Sequence, residues 1–248
     1  MASVTVLAKQ ILQSVALRYG YRIERIRQTR HAIDAFDLAL RAVTRLDDHE
    51  FFFIQVGAND GISHDPLRAY IERYHWSGIL IEPQPRVFAR LCRNYEFQPQ
   101  LRFVNAALAA QHGSATLYTV QTDDDTTGMA SFDRALLQRQ LPLGARVVEM
   151  SVPTMPLGAV IRDHGVVRLD LLQIDAEGYD AEIVRMVDFS QVRPSIVRYE
   201  HRHLSQNDRE SCENLLAENG YQIHLGEVDT TAVLLESARQ PQRTPEIG

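Results

Sequence analysis

Asp175 and Glu177 stand two residues apart at the end of an apolar run, in the segment Leu169-Asp170-Leu171-Leu172-Gln173-Ile174-Asp175-Ala176-Glu177-Gly178-Tyr179-Asp180. Two carboxylates so close repel, which raises the pKa of one unless a cation or a hydrogen-bond donor compensates. Pairs of this kind concentrate at functional sites. A second apolar run ends in Glu200, followed by His201 and His203. Proton transfer near neutral pH is the chemistry open to such a set, because a histidine titrates there. Either histidine taken alone reads equally as a surface or capping residue. Asp175, Glu177 and Glu200 also offer hard oxygen ligands to Mg²⁺, but their spacing is not diagnostic and no metal is expected.

A different segment offers a place for a ligand. Residues 51–56 form a β-branched and aromatic run that stops at Gly57-Ala58-Asn59-Asp60-Gly61. His64-Asp65-Pro66 then opens a helix, with Asp65 as the expected N-cap and Pro66 in the first helical position. Strand, glycine turn and helix start together make the position where an open α/β sheet receives a nucleotide-like ligand. The spacing is Gly-x-Asn-x-Gly rather than Gly-x-Gly-x-x-Gly, which disfavours a nicotinamide oxidoreductase. It suits a ligand without a pyrophosphate, such as S-adenosylmethionine. Roughly 20 residues beyond the loop, a second short run ends in Glu82-Pro83, where an acid takes the hydroxyls of an adenosine ribose. A carboxylate has acceptor positions enough for both hydroxyls of a cis-diol.

The elements that must hold these residues follow from hydrophobic periodicity. Strands are expected near 51–56, 78–82, 101–105, 169–174 and 195–200, with helices near 65–75, 85–95, 179–187 and 203–219. This alternation predicts a parallel sheet covered on both faces. Residues 221–225 and 232–236 read as a closing antiparallel pair, and 114–119 as one further short strand. Residues 121–143 break the rhythm and make a candidate substrate lid, or a surface loop without a role. Three regions result: a helical extension over 1–48, a ligand-binding domain over 49–236 and a flexible tail over 237–248. Arg18, Arg22, Arg25, Arg27 and Arg30 in the extension read as a solvated face, or else as a surface for an anionic partner. The extension could also pack on a second copy of the chain. Tyr70, Tyr74, His75 and Trp76 could form a stacking wall for a sugar, although Trp76 reads equally as core.

Composition narrows the function classes. The 248 residues carry a net charge of −6, which argues against broad nucleic-acid binding. The two cysteines, Cys92 and Cys212, give neither a disulfide framework nor a zinc spacing. Lys9 is the only lysine, so lysine chemistry has no candidate in the body of the domain. No apolar run reaches membrane-spanning length and the amino terminus lacks a signal pattern, so the expected location is cytoplasmic.

Read in order, Val56-Gly57-Ala58-Asn59-Asp60-Gly61, Glu82-Pro83, Asn105-Ala106-Ala107, Leu172-Gln173-Ile174-Asp175-Ala176-Glu177-Gly178 and Glu200 resemble the FkbM-type methyltransferases. That resemblance implies a class I methyltransferase (Rossmann-like) α/β fold: a seven-stranded, mostly parallel sheet with helices on both faces and an antiparallel last strand. It implies S-adenosylmethionine as cofactor and O-methylation of a hydroxyl on a sugar, a glycan or glycolipid, or a natural product. Carried over, Gln55, Gly57, Ala58, Asn59, Asp60 and Gly61 would meet the methionine part of the cofactor. Glu82 with Pro83 would hold the ribose, and Asn105 and Ala106 would lie beside the adenine. Asp175 would stand at the point of methyl transfer, with Glu177 beside it. The catalytic assignment is then Asp175, Glu177 and His201, with Asp175 or His201 taking the proton of the acceptor hydroxyl. Many members carry an acid where this chain has Gln55, so a protein that binds the cofactor without turning it over is the alternative reading.

Overall fold

The computed structural model describes residues 35–121, 129–141 and 145–235. Expectations for the arginine cluster, the first part of the extension and the tail over 237–248 lie outside these residues. The first half contains α1 (Ala35–Val43), β1 (Phe52–Val56), α2 (Arg68–Tyr74), β2 (Ser77–Ile81), α3 (Pro85–Asn94), β3 (Leu101–Val104), β4 (Ala107–Leu108) and β5 (Gly113–Val120). The second half contains β6 (Ala130–Ser131), α4 (Arg134–Gln140), β7 (Val147–Met155), α5 (Leu157–Asp163), β8 (Leu171–Ile174), α6 (Asp180–Arg185), β9 (Ile196–Glu200), α7 (Gln206–Glu218), β10 (Tyr221–Leu225) and β11 (Asp229–Leu234).

Seven strands form one sheet in the order β10-β11-β9-β8-β1-β2-β3. Strands β3, β2, β1, β8 and β9 pair in parallel, and β11 runs antiparallel to both of its neighbours. This is the class I methyltransferase arrangement that the sequence resemblance implied. Strands β1 and β8 sit centrally, and their side chains alternate between two cores as the pleat requires. Ile54, Val56, Leu172 and Ile174 pack with Leu157, Val160, Ile183, Val184, Cys212 and Leu216 from α5, α6 and α7. Phe51, Phe53 and Leu171 face the other way, onto Phe36, Leu40, Ile71, Trp76 and Leu91 from α1, α2, α3 and the loops between them. The helix over 35–43, expected as part of an extension, thus covers the main sheet.

A second sheet of four strands, in the order β4-β7-β5-β6, is inserted between β3 and β8. Only β5 of this sheet was expected. Glu149, Ser151 and Pro153 are exposed along its longest strand, β7, while the residues between them are more buried, and β7 lies antiparallel to β5 along the whole of β5. The hairpin also differs from expectation, because β11 begins at Asp229 rather than at Ala232. Thr230 and Thr231 read as loop by polarity, yet both are buried and pair with β10 and β9.

One further expectation is corrected, and an open alternative is decided. Asp65 does not cap α2, which starts at Arg68 after Leu67 with no side-chain cap. Its carboxylate accepts instead from the Leu67 N–H at 2.8 Å, the Tyr95 hydroxyl at 2.8 Å and the Gln55 amide at 3.1 Å. Trp76 is core: it stacks on Phe51 with ring centroids 3.9 Å apart, and its indole N–H donates to the Leu46 carbonyl at 2.8 Å. Neither Trp76 nor Tyr70, Tyr74 or His75 borders the main cavity.

Candidate active site

The carboxyl ends of β1, β2, β8 and β9 open into a cavity of about 540 Å³, within the range for a cofactor-sized ligand. Its wall is completed by the second sheet, through Leu108, Leu117, Ala130 and Phe132. Gly57 ends β1 with φ +74°, and a Cβ placed there would lie 1.8 Å from the carbonyl oxygen of Asp175. Only glycine allows the ends of β1 and β8 to come this close. Gly61 has φ +72° and abuts the Tyr95 ring, so it seats the loop on α3 rather than facing the cavity. Between them Asn59 adopts φ +50°, a conformation that asparagine tolerates better than most residues.

Glu82 is 3% exposed and ties the two halves of this loop system together. One carboxylate oxygen accepts from the Asn59 N–H at 3.1 Å and the other from the Gln84 N–H at 2.9 Å. The Gln84 side chain adds a further hydrogen bond, which leaves part of the carboxylate's acceptor capacity for a ligand. Burial pushes its pKa up to about 7, against the opposing pull of those two N–H groups. Gln55, also 3% exposed, donates its amide N–H to Asp65, while its amide oxygen has no hydrogen-bond partner among the described residues. A buried acceptor left so costs roughly 1–3 kcal/mol, which a ligand donor would recover.

Asp175 leaves the end of β8 with its side chain accessible from the cavity. The surrounding protein displaces bulk water, and Glu177 and Asp229 add negative charge, so its pKa rises to about 6. Arg198, which pairs with Asp229 and donates to Gln173 at 3.0 Å, works in the opposite direction. Glu200 rises further, to about 8, through burial and then the charges of Asp175, Glu177 and Asp180. Glu177 also lies above its ordinary value because of burial, and its backbone is held at φ +48°. The Ser131 hydroxyl donates to its carbonyl at 2.7 Å, linking the inserted segment to the acidic loop.

Beneath these groups Asp180 is fully buried, accepting from the N–H groups of Ala176, Gly178 and Glu200 at 3.2–3.4 Å. Desolvation, then the charge of Asp175, raises its pKa to about 7. It is the peg that fixes the two acidic strand ends against each other. The sequence marks Asp180 as an acid near the helix start but gives no sign of its burial.

Of the residues singled out from sequence, Gln55, Gly57, Ala58, Asn59, Glu82, Pro83, Ala106, Asp175 and Glu177 border the one cavity. Asp60, Gly61 and Asn105 do not. Asp60 accepts from the Ile62 and Ser63 N–H groups and shapes the loop. Asn105 donates to the carbonyls of Glu82 and Pro83 at 2.8 and 3.1 Å, and so holds the far side of the ribose-binding turn. His201 is not brought to the cavity either. Its Nδ1 lies 2.9 Å from the Thr230 hydroxyl and the ring is 7% exposed, packed under β11. His203 stands closer to the acids, with Nε2 3.5 Å from Glu200 and 3.9 Å from Glu177. Burial, then the nearby Arg202, lowers its pKa. Glu177, Glu200 and His203 bring one donor atom each within 4.8 Å of one another, a set that could hold a divalent cation. This differs from the three acids named from sequence by exchanging Asp175 for His203.

Sequence reasoning missed Gln84, Thr119, Phe132 and Tyr179. Thr119 donates to the Gln84 side chain at 2.8 Å, joining β5 to the turn after β2. Phe132 and Tyr179 meet edge to face, with centroids 5.0 Å apart, and both border the cavity. Residues 129–141 therefore build a wall of the site. Among the described residues no helix is long and apolar enough to cross a membrane.

Comparison with known proteins bears on the same region. A methyltransferase FkbM from Methylobacillus flagellatus KT shares 14% identity, with a TM-score of 0.48; the match covers 75% of this chain and 44% of that one. The chain thus spans less than half of that protein. A precorrin-6y C5,15-methyltransferase from Geobacter metallireducens GS-15 shares 10% identity over 84% of this chain and 93% of its own, with a TM-score of 0.45. The fibrillarin pre-rRNA processing protein of Methanococcus jannaschii shares 8% identity over 77% of this chain and 69% of its own, with a TM-score of 0.42. Among curated proteins none matches. The family model described as Methyltransferase FkbM domain matches residues 55–223, from Gln55 in β1 to the middle of β10, and takes in Glu82, Asp175, Glu177 and Glu200. The chain belongs to the FkbM methyltransferase family.

Proposed function

We propose that this protein transfers a methyl group from S-adenosylmethionine to a hydroxyl of a sugar, a glycan or glycolipid, or a natural-product scaffold. Membership of the family supports methyl transfer from this cofactor. One observation carries the finer reading: an accessible carboxylate, Asp175, shares a cavity with the buried Glu82 and the unpartnered Gln55 oxygen. Glu82 suits a ribose diol, the Gly57–Asn59 backbone suits close approach, and the Gln55 oxygen suits an ammonium donor. When bound, S-adenosylmethionine supplies a methyl group already activated on a sulfonium. The surrounding acids Asp175, Glu177 and Asp229 outnumber Arg198 and Arg202 and favour a cationic ligand.

An alcohol must lose its proton as it accepts a methyl group, and Asp175 takes that proton. A carboxylate with a pKa of about 6 is ionised at neutral pH yet more basic than an ordinary aspartate. Phe132 and Tyr179 offer an aromatic edge against which a sugar ring can lie. The net charge of −6 favours a small-molecule or glycan acceptor over nucleic acid.

Two measurements test this. Incubation with methyl-labelled S-adenosylmethionine and a panel of hydroxylated acceptors is expected to give an alkali-stable methyl ether. Transfer to nitrogen, to carbon or to a carboxylate would refute the acceptor class. Tight binding of S-adenosylhomocysteine with no transfer to any acceptor would favour the non-catalytic alternative, for which the uncharged Gln55 is the one supporting observation. The pH profile forms the second measurement. A base must be deprotonated to act, so turnover is expected to rise about tenfold per unit up to pH 6 and to level off above 7. A profile flat between pH 5 and 8 would remove Asp175 from this role.

A further inference from the structure

Three donor groups from two separate loops meet at one wall of the cavity. Glu177 lies in the loop after β8, Glu200 ends β9, and His203 stands in the turn that follows. His203 Nε2 is 3.5 Å from a Glu200 oxygen and 3.9 Å from a Glu177 oxygen, and one donor atom of each residue lies within 4.8 Å of the other two. Gln140, at the end of α4, fixes how the histidine presents itself. Its amide nitrogen donates to Glu177 at 3.4 Å and stands 3.0 Å from His203 Nε2. The same N–H₂ faces both partners, so Nε2 must accept. The ring proton then sits on Nδ1, and the Nε2 lone pair is free to ligate, the tautomer a metal site needs. Glu177 and His203 thus already converge on one point, held there by a donor from a third element. Among the described residues none of the three pairs with an arginine; Arg202 and Arg139 act on them only from a distance.

We propose that Glu177, Glu200 and His203 bind one divalent transition-metal cation at the cavity wall, with Mn²⁺ or Zn²⁺ preferred over Mg²⁺. Two carboxylates and an imidazole make a mixed oxygen and nitrogen set, which suits first-row transition ions, whereas Mg²⁺ takes oxygen. Ligand atoms each about 2.1 Å from one ion lie roughly 3–3.5 Å apart, so the observed separations close with small rotations of the two glutamate side chains. The charge balance agrees. Asp175 and Asp180 stand near Glu200 together with Glu177, and a cation relieves that crowding of acids. The sequence carries no metal signature because the acids lack a diagnostic spacing and the histidine comes from the turn beyond β9. Three protein ligands leave positions open, and Glu177 and Glu200 border the cavity, so an oxygen of a bound molecule can complete the shell. Cation binding here needs neither cofactor nor acceptor.

The test uses Mn²⁺ on the full chain, freed of metal by chelation and held at pH 8. Electron paramagnetic resonance of free Mn²⁺ counts the bound ions, and one tight site per chain is expected. Zn²⁺ should displace the bound Mn²⁺, and Mg²⁺ at the same concentration should not. His203→Gln and Glu200→Gln should each weaken the site about tenfold or more. Glu210→Gln, on the exposed face of α7, should leave it within about twofold. Crystals soaked in Mn²⁺ should show an anomalous peak between the three side chains. The absence of a tight site in the wild type, or a site that survives both ligand substitutions, would overturn the proposal. So would displacement by Mg²⁺ as readily as by Zn²⁺, since the histidine would then contribute nothing. Should one variant fail to fold, the other carries the test. Should both fail, the anomalous peak decides it, and a peak elsewhere or none at all overturns the assignment.

Discussion

Glu82→Gln is expected to give a protein that melts higher than wild type at pH 8, about level with it at pH 5, and has lost most of its affinity for S-adenosylhomocysteine. Glu82 is a carboxylate 3% exposed, and the charge of Arg90 offsets only a small part of its desolvation. Its pKa in the fold, about 7, stands above the ordinary 4.5, so the native state holds the proton more tightly than the unfolded chain. For such a group the stabilising contribution is complete below about pH 4 and is lost as pH rises through 7. The charged form costs about 3 kcal/mol at pH 8 on this basis. Glutamine removes that cost but has a single acceptor oxygen for the Asn59 and Gln84 N–H groups, which gives back about 1 kcal/mol at any pH. The net gain at pH 8, about 2 kcal/mol, corresponds to roughly 4–8 °C in a domain of this size. Binding moves the other way. A neutral amide already engaged by backbone cannot accept from both hydroxyls of a cis-diol, and the loss is about a hundredfold. Melting curves of the empty protein at pH 5 and 8, with one titration of S-adenosylhomocysteine, decide it. Parallel pH dependences for the two proteins would show that the Glu82 charge is compensated in the fold.

That a site carries a cost in the empty fold explains part of what was legible in the sequence. The loop after β1 and the acid after β2 could be read because each is a local pattern: an apolar run, a glycine turn, a strand-end carboxylate. The burial of Asp180 could not, since it comes from the packing of α6 beneath two loops rather than from its neighbours in the chain. The second sheet was hidden for a related reason. In β7, Pro153 and the polar residues Glu149 and Ser151 make the run look like loop, and its partner β5 is separated from it by the inserted segment. Asp65 sat in plain sight as a helix cap, and the donor that redirected it, the Gln55 amide, belongs to a strand ten residues earlier.

The choice between His201 and its neighbours was open to a simple argument from the strand. Side chains alternate faces along β9. Arg198, Glu200 and, beyond the strand, Arg202 border the cavity, whereas Tyr199 lies in the core with Cys212 and Leu216. His201 shares the parity of Tyr199, and its ring ends on Thr230. Proximity in sequence to a strand-end acid is therefore a weak guide unless the register is followed through.

The same geometry sets the second large effect, on turnover. Asp175→Asn is expected to lower kcat by 10²–10⁴, the usual contribution of a general base, with S-adenosylhomocysteine affinity changed less than threefold. The substitution keeps the shape of the side chain. The contacts that fix this position are main-chain ones: the Asp175 N–H donates to the Val56 carbonyl at 3.0 Å, and its own carbonyl lies against Gly57. Loss of turnover would then reflect chemistry rather than folding. An independent signature accompanies it. The charge of Asp175 is among the causes that raise Glu200 and Asp180, so in the variant both should titrate at lower pH, and the acid limb of the rate profile should vanish with the base. His201→Ala makes the contrast. It removes a buried ring and its bond to Thr230, so it should cost about 1–3 kcal/mol of stability, yet leave kcat within a factor of three at a temperature where the variant is folded. The opposite pattern, with Asp175→Asn active and His201→Ala folded but inactive, would move the proton to the His201 side of β9.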